Sequence, residues 1–594
     1  MKKRIGKLFL AGTLAFGGII PLGINKVNAQ EITDYTIYPN PQMETYSGGS
    51  ITVPDEINIS YSQNVDDATK NYLGDTLSLL DSTISNNNSD FKVVVAIKDD
   101  NDEVENGIDV APTTPDLYLQ NDAYSLKVQD NQISILGNDN DAVFAGISTL
   151  KIMLEQTSNN QLLKVMVEDY SDVQYRGVVE GYYGIPWSNE NVISYMEWGS
   201  KFKLNTFIYA PKDDPYHNSK WREEYPQQEL NKMKDMIEAG TRTKVRFVYA
   251  IHPFMSNGIN KNDFENELKH ITDKFQQLYD LGVRQFALLA DDASSETALQ
   301  VKTINSLTDW LNSKEGTYPL IFCPQSYSGT PSSNYFSQFK NGTKITINGQ
   351  EENVPAVAND VEIMYTGSAI IGNVESGVAD TFNQVSGRNP YFWLNWPVND
   401  YTDSTLFIGK AEMLKSRKNN LNGLVANPMC EAQLSKIGLF QVADYAWNIE
   451  AFDVDTSWKA SFSNVDSDAA DALSVVAKHL SYPRDGVYHT TGLAWEESEE
   501  LAPYINDLKA KIEANEDIES SALALKEQLQ IILDASQEVM DNSKNQNLKD
   551  EYAPYKESLD ATVNAGIAGM DALIAYYQGD YDTTWNLYSK ITNY

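Results

Sequence analysis

From about residue 171 to 450 the chain repeats one rhythm: a short apolar run, a polar gap, then a longer stretch with apolar residues at helical spacing. The runs are YRGVVEG, NTFIYAP, VRFVYAI, RQFALLA, PLIFCPQ, VEIMYTG, PYFWLNW and NGLVANP, each with the length and the β-branched or aromatic content of a buried strand. Helical candidates such as NENVISYMEWGSKF and DFENELKHITDKFQQLYDL lie between most of them. Eight such repeats over about 280 residues predict a (β/α)8 TIM barrel, an α/β architecture. A doubly wound open sheet competes, but no Gly-x-Gly-x-x-Gly follows any of these runs. After the fifth run, TPSSNYFSQFKNGTKITINGQEENVPAVAND is polar and rich in Gly and Asn, and reads as a long loop or hairpin.

The pattern differs on either side. Residues 31–170 mix short runs such as ITVP, INISYS, FKVVVAI and ISIL with the helical AVFAGISTLKIMLEQ, which predicts a small α+β domain. Residues 451–594 lose the strand signal and keep helical periodicity, as in IESSALALKEQLQIILDASQEVM, so a helical bundle is expected. The barrel is assigned to 171–450. Residues 1–29 combine Lys2, Lys3 and Arg4 with the apolar LFLAGTLAFGGIIPLG and end on Val27-Asn28-Ala29, the layout of a secretory signal peptide. An uncleaved anchor is the alternative. Secretion without membrane insertion after cleavage is the expectation, and no C-terminal anchor signal is visible.

Composition narrows the partners. A net charge of −37 argues against DNA or RNA, whose phosphates call for concentrated Lys and Arg. Cys323 and Cys430 are the two cysteines. They fall near strand ends and are expected to be buried free thiols rather than a disulfide. His217 and His252 invite a metal reading, but five histidines with no His-Glu-x-x-His and no Cys/His cluster do not support one. No metal and no cofactor are expected.

Barrel enzymes carry their chemistry at the C-terminal ends of the strands. Those ends offer Glu180-Gly181-Tyr182-Tyr183, Lys212, His252, Asp291-Asp292, Gln325-Ser326-Tyr327, Thr366-Gly367, Trp393-Leu394-Asn395 and Asn427. Carboxylates, amides, hydroxyls and aromatic faces suit a sugar, whose hydroxyls need hydrogen bonds while its C–H faces pack on rings. Asp291 and Asp292 follow the buried run FALLA, and crowding there is expected to push their pKa values apart. Two adjacent carboxylates act from one side of a substrate. An ordinary retaining glycosidase needs two carboxylates about 5 Å apart flanking the anomeric carbon. If both aspartates serve hydrolysis, the nucleophile must come from elsewhere, and a 2-acetamido group on the substrate is the economical source.

RGVVEGYYGIPWS, KLNTFIYAPKDDPYH, the Asp291-Asp292 pair, LNWPVNDY and ANPM together resemble glycoside hydrolase family 84, which contains bacterial β-N-acetylglucosaminidases, historically termed hyaluronidases, and the O-GlcNAcases. The resemblance implies that Asp291 orients the acetamido N–H and that Asp292 is general acid and then base. It places Tyr327 on the acetamido oxygen and Thr366 and Trp393 around the acetamido pocket. Gly181, Lys212, Asn395, Asp400 and Asn427 match positions that hold sugar hydroxyls, and Tyr183 lies on the reducing-end side. The implied reaction is exo-acting hydrolysis of terminal β-linked GlcNAc from glycans or glycoproteins, with retention, through an oxazoline. Rival roles are a tight turn for Gly181, ordinary core for Trp393, and an ion pair of Lys212 with Asp213 or Asp214. A glycan-binding pseudoenzyme and an endo-acting hyaluronan-type hydrolase are the alternative functions. The chain departs from the family at Ala290 and Ala293, where an aromatic and a larger aliphatic are usual, and at Trp396, where tyrosine is common.

Overall fold

A computed structural model describes residues 33–85, 89–255, 257–402, 405–481 and 497–591. The expected signal peptide at 1–29 lies outside the described residues. Among those residues no helix is long and apolar enough to cross a membrane.

The eight apolar runs form eight parallel strands: β1 (Tyr175–Glu180), β2 (Thr206–Tyr209), β3 (Arg246–Ile251), β4 (Gln285–Leu289), β5 (Ile321–Cys323), β6 (Glu362–Tyr365), β7 (Tyr391–Leu394) and β8 (Gly423–Ala426). Each pairs with its sequence neighbours, and β8 closes onto β1, so the sheet is a barrel. Strand side chains alternate in direction, which splits every run in two. Val248, Ala250, Ala287, Leu289, Ile321 and Met364 point inward and fill the barrel. Phe207, Tyr249, Phe286, Leu288, Ile363 and Leu424 point outward and pack beneath the helices. Double-sided burial is why the runs are continuously apolar rather than alternating.

The N-terminal region holds a seven-stranded sheet. Met43–Thr52, Gln161–Ser171, Asn121–Gln129 and Gln132–Gly137 are antiparallel neighbours in that order, and Lys92–Ile97, Glu56–Tyr61 and Thr83–Ile84 continue it in parallel. The helix Asn140–Glu155 packs on this sheet and starts where Asp139 accepts the Ala142 N–H at 2.8 Å. Of the strands Met43–Thr52, Gln161–Ser171 and Thr83–Ile84, only the end of the first, in ITVP, falls on an expected run. The first is mostly exposed and contains Gly48 and Gly49, so it carries little apolar signal. Beyond the barrel the described chain is helical, dominated by Glu519–Asn542 and Gln546–Tyr577.

The stretch after β5, expected as a long loop or hairpin, does hold a hairpin, but a helix that was not expected precedes it. It contains the helix Ser333–Asn341, capped by Ser332 and anchored by buried Tyr335, Phe336 and Phe339, followed by the hairpin Thr343–Ile347 and Gln350–Val354. Three aromatics on one short helical face outweigh the polar composition around them.

Candidate active site

Carrying the inward parity of the strands one to three residues past their C-terminal ends reaches Gly181, Lys212, His252, Asp291, Thr366, Asn395 and Asn427. A cavity of about 650 Å³ opens there. Gly181, Tyr183, Lys212, Asp291, Asp292, Tyr327, Thr366, Trp393, Asn395, Asp400 and Asn427 all line it, so the structure brings together every candidate taken from the sequence.

Asp291 is 7% exposed. Its Oδ2 accepts a hydrogen bond from Lys212 Nζ at 2.6 Å, and the two side chains are 10% and 5% exposed. His252 lies at the same level on β3, with Nε2 2.8 Å from the main-chain carbonyl of Asp291 and 3.3 Å from its Oδ1. The better-aligned bond goes to the carbonyl, and Oδ1, itself buried, is left with unused acceptor capacity. Burial alone would raise the Asp291 carboxyl. The Lys212 charge and the His252 N–H outweigh burial and hold it far below the usual carboxylate range. The crowding expected from the sequence is therefore not the cause; a cationic partner is. The ion pair of Lys212 with Asp213 or Asp214 does not form, because Asp214 instead accepts bonds from Tyr209 and Tyr225.

Asp292 stands at outward parity yet lines the cavity, and its backbone there is left-handed, with φ 52°, a conformation that aspartate tolerates better than most residues. Its side chain is exposed, and Oδ1 accepts the Tyr327 hydroxyl at 2.8 Å. Burial and the neighbouring Asp292 charge push the Tyr327 phenol far up, so it stays a donor. The bend is closed by Ala293 N–H on Ala290 O, while Ala290 itself is buried in the outward, helix-facing layer. Neither alanine lines the cavity, and Trp396 is buried against Phe407. The departures from the family pattern thus lie behind the site.

One wall is an amide network. Asn427 Oδ1 accepts Gly181 N–H at 3.2 Å, and Asn427 Nδ2 donates to Asn395 Oδ1 at 3.1 Å. Trp393 Nε1 donates to the same Asn395 oxygen at 2.9 Å, and Asn395 Nδ2 donates to Ile370 O at 2.8 Å. The Trp393 ring lies across Gly181, where a Cβ would come within 2.4 Å of Cζ2. Close approach of the ring, not a tight turn, is why glycine stands there. At the rim Asp400 Oδ2 accepts Tyr183 N–H at 2.9 Å, and the Tyr183 side chain is 54% exposed. Thr366 is buried and its hydroxyl donates to Ala369 O at 2.8 Å, fixing the bend after β6.

Sequence reasoning missed Cys323, Ile370, Ile371, Val398 and Tyr401 as lining residues, and His252 as a partner of Asp291. His252 carried a usable signal, its inward parity past β3; the loop residues carried none. Cys323 and Cys430 are both free, but Cys430 is exposed, which corrects the expectation that both are buried. It sits in the bend after β8, beyond the reach of the buried strand layers. His217 bonds the Ala250 carbonyl through Nδ1 at 2.8 Å, and burial followed by the Lys212 charge drives its pKa down to about 3. Among the described residues no group of three or more His, Cys, Asp or Glu is placed to hold a metal ion.

Comparison with known proteins gives concordant matches. The profile of the beta-N-acetylglucosaminidase family matches residues 176–478, and that of glycosyl hydrolase family 20, domain 2, matches residues 34–170. The chain is similar to the protein O-GlcNAcase of Rattus norvegicus, with 31% identity over 288 residues, covering 45% of this chain and 29% of that protein. The match to the Mus musculus protein is 30% identical with the same coverage. The chain therefore spans less than a third of the length of these curated relatives. Among solved structures, CpGH84D superposes with a TM-score of 0.85 at 36% identity, covering 94% of this chain and 93% of that one. CpGH84B gives 0.79 at 27% identity, covering 94% and 96%.

Proposed function

The chain belongs to the β-N-acetylglucosaminidase family, glycoside hydrolase family 84, and from that premise we propose that it is a secreted, retaining, exo-acting β-N-acetylglucosaminidase of O-GlcNAcase type that removes terminal β-linked GlcNAc from glycans or glycoproteins. The observation that carries this reading is the geometry of Asp291: a cavity-lining carboxylate buried against Lys212, with Oδ1 left without a hydrogen-bond partner. A buried carboxylate that cannot swing to the far side of a sugar is poorly suited to attack the anomeric carbon. It is well suited to accept an N–H.

In the proposed reaction Asp291 accepts the acetamido N–H, which turns the carbonyl oxygen toward the anomeric carbon and stabilises the positive charge that grows on the amide. That oxygen forms a bond to the anomeric carbon as the bond to the leaving oxygen breaks. Asp292 gives its proton to the leaving oxygen. The oxazoline is then opened by water, which loses a proton to Asp292, and two inversions leave the configuration retained. Tyr327, hydrogen-bonded to Asp292 before substrate binds, is placed to donate to the acetamido oxygen. The amide wall of Asn395 and Asn427, together with Asp400, is suited to hold the sugar hydroxyls. A cavity of about 650 Å³ supports exo action on a terminal residue.

The test is turnover of aryl β-GlcNAc, β-GalNAc and β-glucoside, with Asp291→Ala and Asp292→Ala as controls. Hydrolysis of the GlcNAc substrate that collapses in both variants is expected. Appreciable cleavage of the glucoside, which has no acetamido group, would overturn the mechanism.

A further inference from the structure

The rim of the cavity that carries Asp400 is not held by the barrel alone. Asp400 follows Asn399, which is 3% exposed. Asn399 Nδ2 donates to Thr405 O at 3.1 Å and to Glu431 Oε2 at 3.2 Å. The other Glu431 oxygen, Oε1, accepts the Tyr555 hydroxyl at 2.6 Å. Tyr555 is 8% exposed and belongs to the helix Gln546–Tyr577, beyond the barrel.

One turn earlier on the same face of that helix, Glu551 reaches the start of the helix Ala432–Trp447. Its carboxylate accepts Gln433 N–H at 2.8 Å and Leu434 N–H at 3.1 Å. An anion at that position satisfies donors that a helix start leaves unpaired. The long helix therefore grips the barrel twice, once at the start of Ala432–Trp447 and once at Glu431, the residue immediately before it.

The path of hydrogen bonds runs from Tyr555 through Glu431 to Asn399, and Asp400 is the next residue. On its cavity side Asp400 Oδ2 holds the Tyr183 N–H at 2.9 Å. Tyr183 and Asp400 both line the cavity. We propose that Tyr555 is a positioning residue that fixes Asp400 through Glu431 and Asn399, so that the C-terminal helices are a working part of the active site. This rests on the reading of Asp400 as a group that holds a sugar hydroxyl.

That contact is remote from the reacting carbon, so it is made equally in the bound substrate and in the transition state. Loosening it raises KM and leaves kcat in place. The experiment is Tyr555→Phe in the full chain, which deletes one hydroxyl and keeps the ring, assayed on an aryl β-GlcNAc. KM is expected to rise about five- to tenfold, the net scale of one ordinary hydrogen bond, with kcat within about twofold. A cycle with Asp400→Asn gives the second readout: the double variant should be little worse than Asp400→Asn alone, because one residue acts through the other. A purely structural role for Tyr555 would lower the unfolding midpoint and multiply with Asp400→Asn instead. An unchanged KM in Tyr555→Phe, or losses that multiply, overturns the inference. If the wild-type chain turns over no aryl β-GlcNAc, the proposed function fails separately, and the same cycle is read from the Kd for free GlcNAc by calorimetry, with the same two outcomes deciding it.

Discussion

Replacing Lys212 with Met removes the cation that keeps Asp291 ionised while leaving most of the side-chain volume. The pair is separated by 2.6 Å, and at an effective dielectric of about 20 the attraction is on the order of 6 kcal/mol. Cutting one partner from a buried pair costs about 3–5 kcal/mol in practice. At about 1.4 kcal/mol per pKa unit, even the lower figure moves the Asp291 carboxyl up by about two units. In the wild-type chain the depressed carboxyl contributes stability above the ordinary Asp value of about 3.9, and this is lost only as pH falls through the depressed folded value. In the variant the carboxyl moves back toward its ordinary value, and the share of that stability due to the Lys212 charge is lost. The assay is kcat/KM against pH on an aryl β-GlcNAc. The acid limb should move upward by about two units in Lys212→Met, with activity at the alkaline side less affected. An acid limb that coincides with that of the wild type would refute the reasoning that Lys212 sets the charge of Asp291.

Other changes test the surrounding parts. Asp292→Ala should reduce kcat by orders of magnitude on substrates with poor leaving groups and far less on activated aryl glycosides, since protonation matters less for the latter; equal losses would count against Asp292 as the acid. Gly181→Ala should force Trp393 from its place, with a stability loss of about 1–3 kcal/mol by denaturant unfolding and a raised KM. Glu180, buried beneath the loop after β1 with Oε1 on the Trp187 N–H, is pushed up to about 8 by burial. Its folded carboxyl keeps a proton that the unfolded chain has lost, so stability should fall by up to about 1.4 kcal/mol per pH unit between roughly pH 4.5 and 8. Glu180→Gln should flatten that slope in unfolding midpoints measured across the range.

The barrel was legible because its strands are buried on both faces, which leaves an unbroken apolar run at each of the eight positions. The same logic made the site legible, since the side chain that follows such a run at inward parity must face the barrel mouth. His252 obeys that rule and was nonetheless read only as a metal question, because the sequence does not show the bend after β4 that brings the Asp291 carbonyl to Nε2. Edge strands such as Met43–Thr52, with one face in solvent, leave a weaker trace. The helix Ser333–Asn341 depends on contacts of Phe336 and Phe339 with distant Phe382 and Phe322, which local composition cannot reveal. The charge state of Asp291 depends on Lys212 and His252, brought to it by two other strands, and the link from Tyr555 to Asp400 depends on the docking of a helix that periodicity identifies but does not place.

The central claim is that the substrate's own acetamido oxygen, oriented by Asp291, is the nucleophile. The most direct measurement is kcat for a series of aryl β-GlcNAc substrates whose acetamido methyl carries none, one, two or three fluorines, because each fluorine withdraws electrons from the carbonyl oxygen without changing the leaving group. A steep fall along the series is expected from attack by that oxygen. A flat series would contradict it and place the nucleophile on the protein or on water.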